Sequence, residues 1–541
     1  MLLSRRGLLT LGLVPLAMGL PDPAWPKGEA EARQEDGPEF RRLPGGEALE
    51  YGEPSKFSFE RLAAVARDKL ETPYVPAPDP APDVLYKIGY DQHGEIWQPA
   101  RKALFAEGSR DGAVSFFHLG ELMRRPVKVF AVEDGEAREV LYRRGYFSFP
   151  ENNPAREMPD DAGFAGIRVH EPSDGGTGQP GDWLAFLGAS YFRSSGDLKQ
   201  YGISARGLAI DTAAQDGGPE EFPDFTRFYV EPMRGGVITI HALLEGPSVT
   251  GAFRFEVTHF PFVKMDVTAR LFMRKGVQRF GVAPLTSMFW HSEQKNWVGG
   301  DFRPEIHDSD GLVVTREGMP PLFRALTNPS EVTVTRYPAK GLKTFALVQR
   351  DRNFENYQDP AAFERRPNLV VQPVEGFDQG EIQLVELPTN AEYGDNIVAF
   401  FVPEEPVSAG DEMALRYRLF WSGNENPTPL ARLDGLRYGR NRPNYGAIEG
   451  ERDERTILAD FVGAELAVRE PSTDFVSIES DAFRIFKPSV SRLPGRMDAW
   501  RLSFDLFTTD REPADVRIIL KDGEKILSEE AEFRVWPDPE K

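Results

Sequence analysis

No cysteine occurs among the 541 residues. That excludes disulfides, thiolate metal sites and a cysteine nucleophile. Histidine is also scarce. The seven present form no HExxH pair or other close ligand spacing, so neither a metal nor a cofactor is expected. Positive charge is in deficit, with 64 Lys and Arg against 85 Asp and Glu and a net charge of -21. A nucleic-acid partner would want a basic face, so none is expected. The apolar run Leu8–Leu20 is too short to span a bilayer comfortably. No nucleophile elbow, P-loop or dinucleotide-binding glycine motif appears, and Asp308-Ser309-Asp310-Gly311 lacks the later ligands of a calcium loop.

What is present is enough apolar residue, 40% of the chain, for two or three packed domains. Residues 1–20 read as an export signal, and the pair Arg5-Arg6 ahead of Gly7-Leu8-Leu9 gives it a twin-arginine character. Residues 21–56, rich in Pro, Gly and Glu, read as a flexible leader. Phe59, Leu62, Ala63, Ala66 and Leu70 predict one amphipathic helix capped by Ser58. From about Ala113 the period changes to two, and short alternating runs separated by Gly, Asp, Asn and Pro continue to about Trp421. This is the pattern of an all-β sandwich. Residues 57–422 are therefore assigned to a large β-sandwich and 423–435 to a linker. Residues 436–541, with six or seven strands, have the size of an immunoglobulin-like sandwich.

Two stretches concentrate acids. One is Asp301-Phe302-Arg303-Pro304-Glu305-Ile306-His307-Asp308-Ser309-Asp310, the other Glu386 to Asn396. Asp308 and Asp395 are expected to meet across one cleft, because glycoside cleavage needs two carboxyl groups and no metal. Asp-Ser-Asp-Gly is equally a good turn, with Asp first and Gly fourth. Trp290, Trp297, Tyr191 and Tyr357 are candidates for stacking on sugar faces, although rings of this kind are more often core or rim.

Several motifs together carry a resemblance. They are Gly188-Ala189-Ser190-Tyr191-Phe192-Arg193, the run Tyr201 to Asp211, Ala283-Pro284-Leu285-Thr286-Ser287-Met288-Phe289, His307-Asp308-Ser309-Asp310 and Asp395-Asn396-Ile397-Val398. In this order they resemble the periplasmic glucan biosynthesis protein G/D family, and the paired arginines point to its D-type branch. The resemblance runs from about Phe57 to the C-terminus. It implies a periplasmic protein with a galactose-mutarotase-like β-sandwich followed by an immunoglobulin-like one. It implies anomer-inverting endo-β-1,2-glucanase activity, with β-1,2-glucan as the partner. An inner-membrane glucan synthase and a second copy of the chain are further partners of interest. Carried over by motif, Asp395 would be the general acid and Asp308 the general base. Asp310, Arg350, Tyr357, Arg366, Glu386 and Glu392 are the expected substrate-binding, proton-path or pKa-setting neighbours. Transfer of the glucan to a sugar hydroxyl, or binding without cleavage, remain alternatives. Three departures from the family pattern, at Phe363, Val370 and Gln372, are expected near the cleft.

Overall fold

The computed structural model describes residues 49–99, 102–106, 112–171, 181–214, 219–294, 301–424, 428–440, 453–508 and 512–536. The expected export signal and all but the last residues of the expected leader lie outside these ranges, as does Trp297.

Alternation of side chains builds the fold. In the strand Val263–Met273, Val263, Met265, Val267, Ala269 and Leu271 point into the main core, while Lys264, Asp266, Thr268 and Arg270 point away. The neighbouring strands Val249–Thr258 and Glu412–Ser422 follow the same rule, pairing antiparallel on either side. They lie in a 16-stranded sheet, which faces a 10-stranded sheet that includes Phe280–Ser287, Tyr191–Ser194 and Ile397–Pro403. Phe255 from one sheet meets Phe186 and Phe192 from the other in this core. The protein is thus largely β-strand, built from stacked sheets as expected.

The predicted helix is present at Phe59–Asp68, with the Ser58 hydroxyl accepting the Arg61 N–H at 3.3 Å. It lays Leu62 and Ala66 on the outer face of the large sheet, against Leu243, Ala252 and Phe272.

Two boundaries differ from expectation. Ser55–Lys56 pairs with Glu136–Val140, so the end of the supposed leader is a sheet edge. The strand Arg432–Arg440 begins inside the supposed linker. More consequentially, the C-terminal strand Glu530–Val535 runs parallel to Leu322–Ala325 and extends the large sheet. A second core forms between this extension and the four-stranded sheet of the C-terminal region, joining Phe323, Ala346 and Val370 to Ile457, Phe504 and Phe533. One continuous sheet therefore serves both cores. The composition of a connecting segment carries no information about such pairing, because the partners are about 200 residues apart in sequence and loop length is cheap in free energy.

Candidate active site

Asp308 and Asn396, the residue after Asp395, are both tied to the same dipeptide, Met288-Phe289. It follows the buried strand Phe280–Ser287 and opens the short strand Phe289–His291, which pairs with Ile306–His307. The Asp308 N–H donates to the Met288 carbonyl at 2.8 Å. On the other side, the buried Asn396 side chain accepts the Phe289 N–H at 2.8 Å and donates to the Phe289 carbonyl at 2.9 Å. Its amide also donates to the Leu387 carbonyl at 2.9 Å. Segments far apart in the chain, carrying Asp308 and Asp395, thus meet at one dipeptide. Asn396 is a positioning residue that the sequence reading passed over, although it stands within a quoted motif. Asn396→Ala should cost about 1–3 kcal/mol of stability, because three buried backbone groups lose a partner. A urea midpoint shift checks this.

The two carboxyl groups have opposite surroundings. Asp395 is only partly buried. Burial nevertheless pushes its carboxyl up to about 7, against the pull of the Thr286 hydroxyl and the guanidinium groups of Arg193, Arg366 and Arg206. Asp308 is 1% exposed and ion-paired with Arg366. Arg366 also lies close enough to Asp395 to feel its charge, and its guanidinium covers the Phe363 ring at 4.0 Å. Burial, together with the nearby Arg193, lowers Arg366 to about 9. It therefore keeps its charge at neutral pH. Arg206, sandwiched between Tyr191 and Phe222 at 5.0 and 4.6 Å, and Arg193, over Tyr201 at 4.8 Å, complete this cationic wall. Arg193, Arg206 and Thr286 were not singled out from sequence, although each falls in a quoted motif.

Other expected site residues are placed differently. Asp310 is a turn fixer, as its sequence context allowed. One oxygen takes the Arg350 and Asp351 N–H groups, and the other lies 3.6 Å from His307 Nε2. Tyr357 is enclosed, edge-on to His307 and stacked on Phe363, so it offers no sugar face. Its hydroxyl accepts from Gln349 at 2.9 Å, and burial raises its pKa. Arg350 points into the C-terminal core, where it meets Glu529 at 2.6 Å and the Leu433 carbonyl at 2.8 Å. Glu386 is fully buried with Arg324, 3.5 Å away, and accepts the Thr327 N–H, so it serves a structural ion cluster. Glu392 pairs with Arg303 at 2.6 Å. Of the three departures, only Phe363 lies by the aspartates. Val370 faces the second core, and Gln372, on the same strand face, accepts from Arg418 at 3.2 Å. The period of two explains this, since both residues turn away from Leu369 and Val371.

Behind Asp308 lies a buried acidic group. The Gln349 amide donates to the His307 carbonyl, Tyr357 Oη and the Phe363 carbonyl, which leaves its oxygen facing His307 Nδ1 at 2.9 Å. The opposite nitrogen meets Glu305 at 2.9 Å. Burial pushes Glu305 up to about 8, and burial with the adjacent Glu305 charge raises Glu293 well above the carboxylate range. Glu305, His307 and Asp310 have donor atoms within 4.8 Å of one another, a set that a divalent cation can use, although no close histidine spacing announced it. A cavity of ≈ 560 Å³, lined by Leu122, Met123, Phe222 and Phe225 among others, includes neither aspartate in its wall.

Comparison with known proteins places this geometry in context. The family model "Periplasmic glucan biosynthesis protein, MdoG" matches residues 57–535. The chain belongs to the MdoG family. It is accordingly a periplasmic protein of glucan biosynthesis. Glucans biosynthesis protein D 2 of Ralstonia nicotianae is 40% identical over 505 residues, covering 90% of this chain and 92% of the relative. Glucans biosynthesis protein D of Xanthomonas oryzae pv. oryzae is 36% identical over 544 residues, covering 98% and 97%. The Stenotrophomonas maltophilia protein of that name is 38% identical over 500 residues, covering 90% and 91%. A solved polysaccharide lyase is similar over 70% of this chain and 45% of its own, but the TM-score of 0.16 and 7% identity bear no argument.

Proposed function

We propose that this MdoG-family protein is an anomer-inverting endo-β-1,2-glucanase, with Asp395 as general acid and Asp308 as general base. The observation that carries the reading is the pair of environments. Burial raises the partly open Asp395 carboxyl to about 7, Asp308 is enclosed under Arg366, and the segments carrying the two are both bonded to Met288-Phe289. Inverting hydrolysis needs this division of labour: one group protonates the leaving oxygen while the other draws a proton from water on the opposite face of the sugar. Arg193 supplies donors for sugar hydroxyls around the acid, and the buried Arg206 backs it with positive charge. The large core would then belong to a galactose-mutarotase-like domain, approximately residues 57–422, and the second core to an immunoglobulin-like domain, approximately residues 436–541.

Arg366 covers Asp308. Water reaches the base only where substrate draws that guanidinium aside or a bridging water relays the proton. This enclosure favours a second reading, in which a sugar hydroxyl replaces water as acceptor and the same carboxyls perform transglycosylation. Product analysis on linear β-1,2-glucan separates them. Short free glucans with rising reducing ends, absent with Asp308→Asn and Asp395→Asn, are the expected result. Rings or rejoined chains without new reducing ends would mean transfer. Unchanged polymer that all three proteins bind would replace both readings with a non-catalytic binding role.

A further inference from the structure

Arg303 gathers three loops. Its guanidinium meets Asp301 at 2.7 Å, Asp359 at 2.6 Å and Glu392 at 2.6 Å, and its side chain is 14% exposed. The bonds to Arg303 hold Asp301 down to about 2, so that arm of the clamp is charged at neutral pH. One of the three loops leads into His307-Asp308, and another carries Asp395. The residue beside Arg303 in the chain is Phe302, 78% exposed, and the residue beside Glu392 is Tyr393, 65% exposed. The ion pair between Arg303 and Glu392 therefore ties together the two loops that carry these bare rings, and the Glu392 charge reaches Arg366, the ion-pair partner of Asp308.

An exposed ring costs solvation wherever it stands, and rings clustered beside a polar cleft mark a contact surface. Here the loops are already ordered by a threefold carboxylate clamp, so a ligand that stacks on them meets little further ordering cost. A pyranose ring suits such a surface, with an apolar C–H face for the aromatic and hydroxyls at its edge for Arg303's acidic partners. We propose that Phe302 and Tyr393 form a stacking platform that holds a glucose unit of the polymer at the cleft rim, away from the bond being cut. This rests on the glucanase reading and adds to it a binding subsite and a preference for long chains.

The test measures calorimetric binding of linear β-1,2-glucan to the Asp395→Asn protein, alone and with Phe302→Ala or Tyr393→Ala added. Each alanine is expected to weaken binding about 3- to 20-fold. In the active protein the same changes should raise KM by a similar factor and leave kcat at saturation within about twofold. Phe302→Trp and Tyr393→Phe should restore KM. Phe260→Ala, which removes a ring that is 77% exposed elsewhere on the surface, should change nothing. Melting temperatures should stay the same, because both rings are bare. Equal binding by the Asp395→Asn protein with and without the alanines overturns the platform and leaves the glucanase reading standing. No glucan binding by the Asp395→Asn protein overturns both. A halved mass in light scattering for Phe302→Ala would overturn the platform in favour of a contact between two copies of the chain.

Discussion

Asp395→Asn is expected to lower glucan turnover about 10²- to 10⁴-fold, the usual contribution of a positioned proton donor. The wild-type rate should itself fall as pH rises through about 7, where the carboxyl gives up the proton that the leaving oxygen needs. Stability carries the same signature. The folded carboxyl titrates above its ordinary 3.8, so folding is favoured while the group is neutral. That contribution is complete below pH 3.8 and is lost as pH rises to about 7. Asparagine, always neutral, escapes the loss. The variant should therefore be more stable than wild type at pH 8, by roughly 1–2 kcal/mol once the partial exposure of the group is discounted, and equal to it at low pH. Urea titrations at the two pH values, run beside a pH–rate profile, test both halves. A rate that stays flat from pH 6 to 8.5 would remove Asp395 as the acid.

Arg350→Met should destabilise the protein by about 3–5 kcal/mol, as should Glu529→Gln, because either change strands a buried charge. Both side chains are almost wholly buried, and they face each other at 2.6 Å. Glu529 further accepts the Leu433 N–H at 2.8 Å, so the pair holds the first strand of the C-terminal sheet against the extended large sheet. Its guanidinium is spent there, so activity measured at low temperature on folded Arg350→Met should keep kcat and KM within about twofold. The backbone N–H of residue 350, which fixes Asp310, survives the substitution. Replacing both partners by apolar residues should recover much of the loss. A collapse of KM in a variant whose unfolding midpoint is unchanged would return Arg350 to the cleft.

The two acid-rich stretches were legible because they are local clusters, and the roles proposed for Asp308 and Asp395 rest on the motif resemblance. Their neighbours were harder to read. Glu386 lies nine residues before Asp395, yet it belongs to the Arg324 ion cluster, because it ends a buried strand rather than entering the acid's loop. Val370 and Gln372 follow a polar, arginine-rich stretch and turn away from the main core by strand alternation alone. Arg193, Arg206 and Thr286 reach Asp395 from strands more than 100 residues earlier. No local spacing encodes that approach.

The sequence by itself determined the largely β class, the helix capped by Ser58 and the family, and it singled out Asp308 and Asp395 as the pair proposed for the chemistry. Periodicity, capping and ordered motifs are properties of neighbouring residues and need no partner to be read. Only the tertiary structure decided that one sheet serves both cores and that Arg350 and Glu386 are structural. It alone decided that burial raises the Asp395 carboxyl while Asp308 lies under Arg366. Those outcomes depend on burial and on charges from distant strands, and a carboxyl's proton affinity is set by what surrounds it in space.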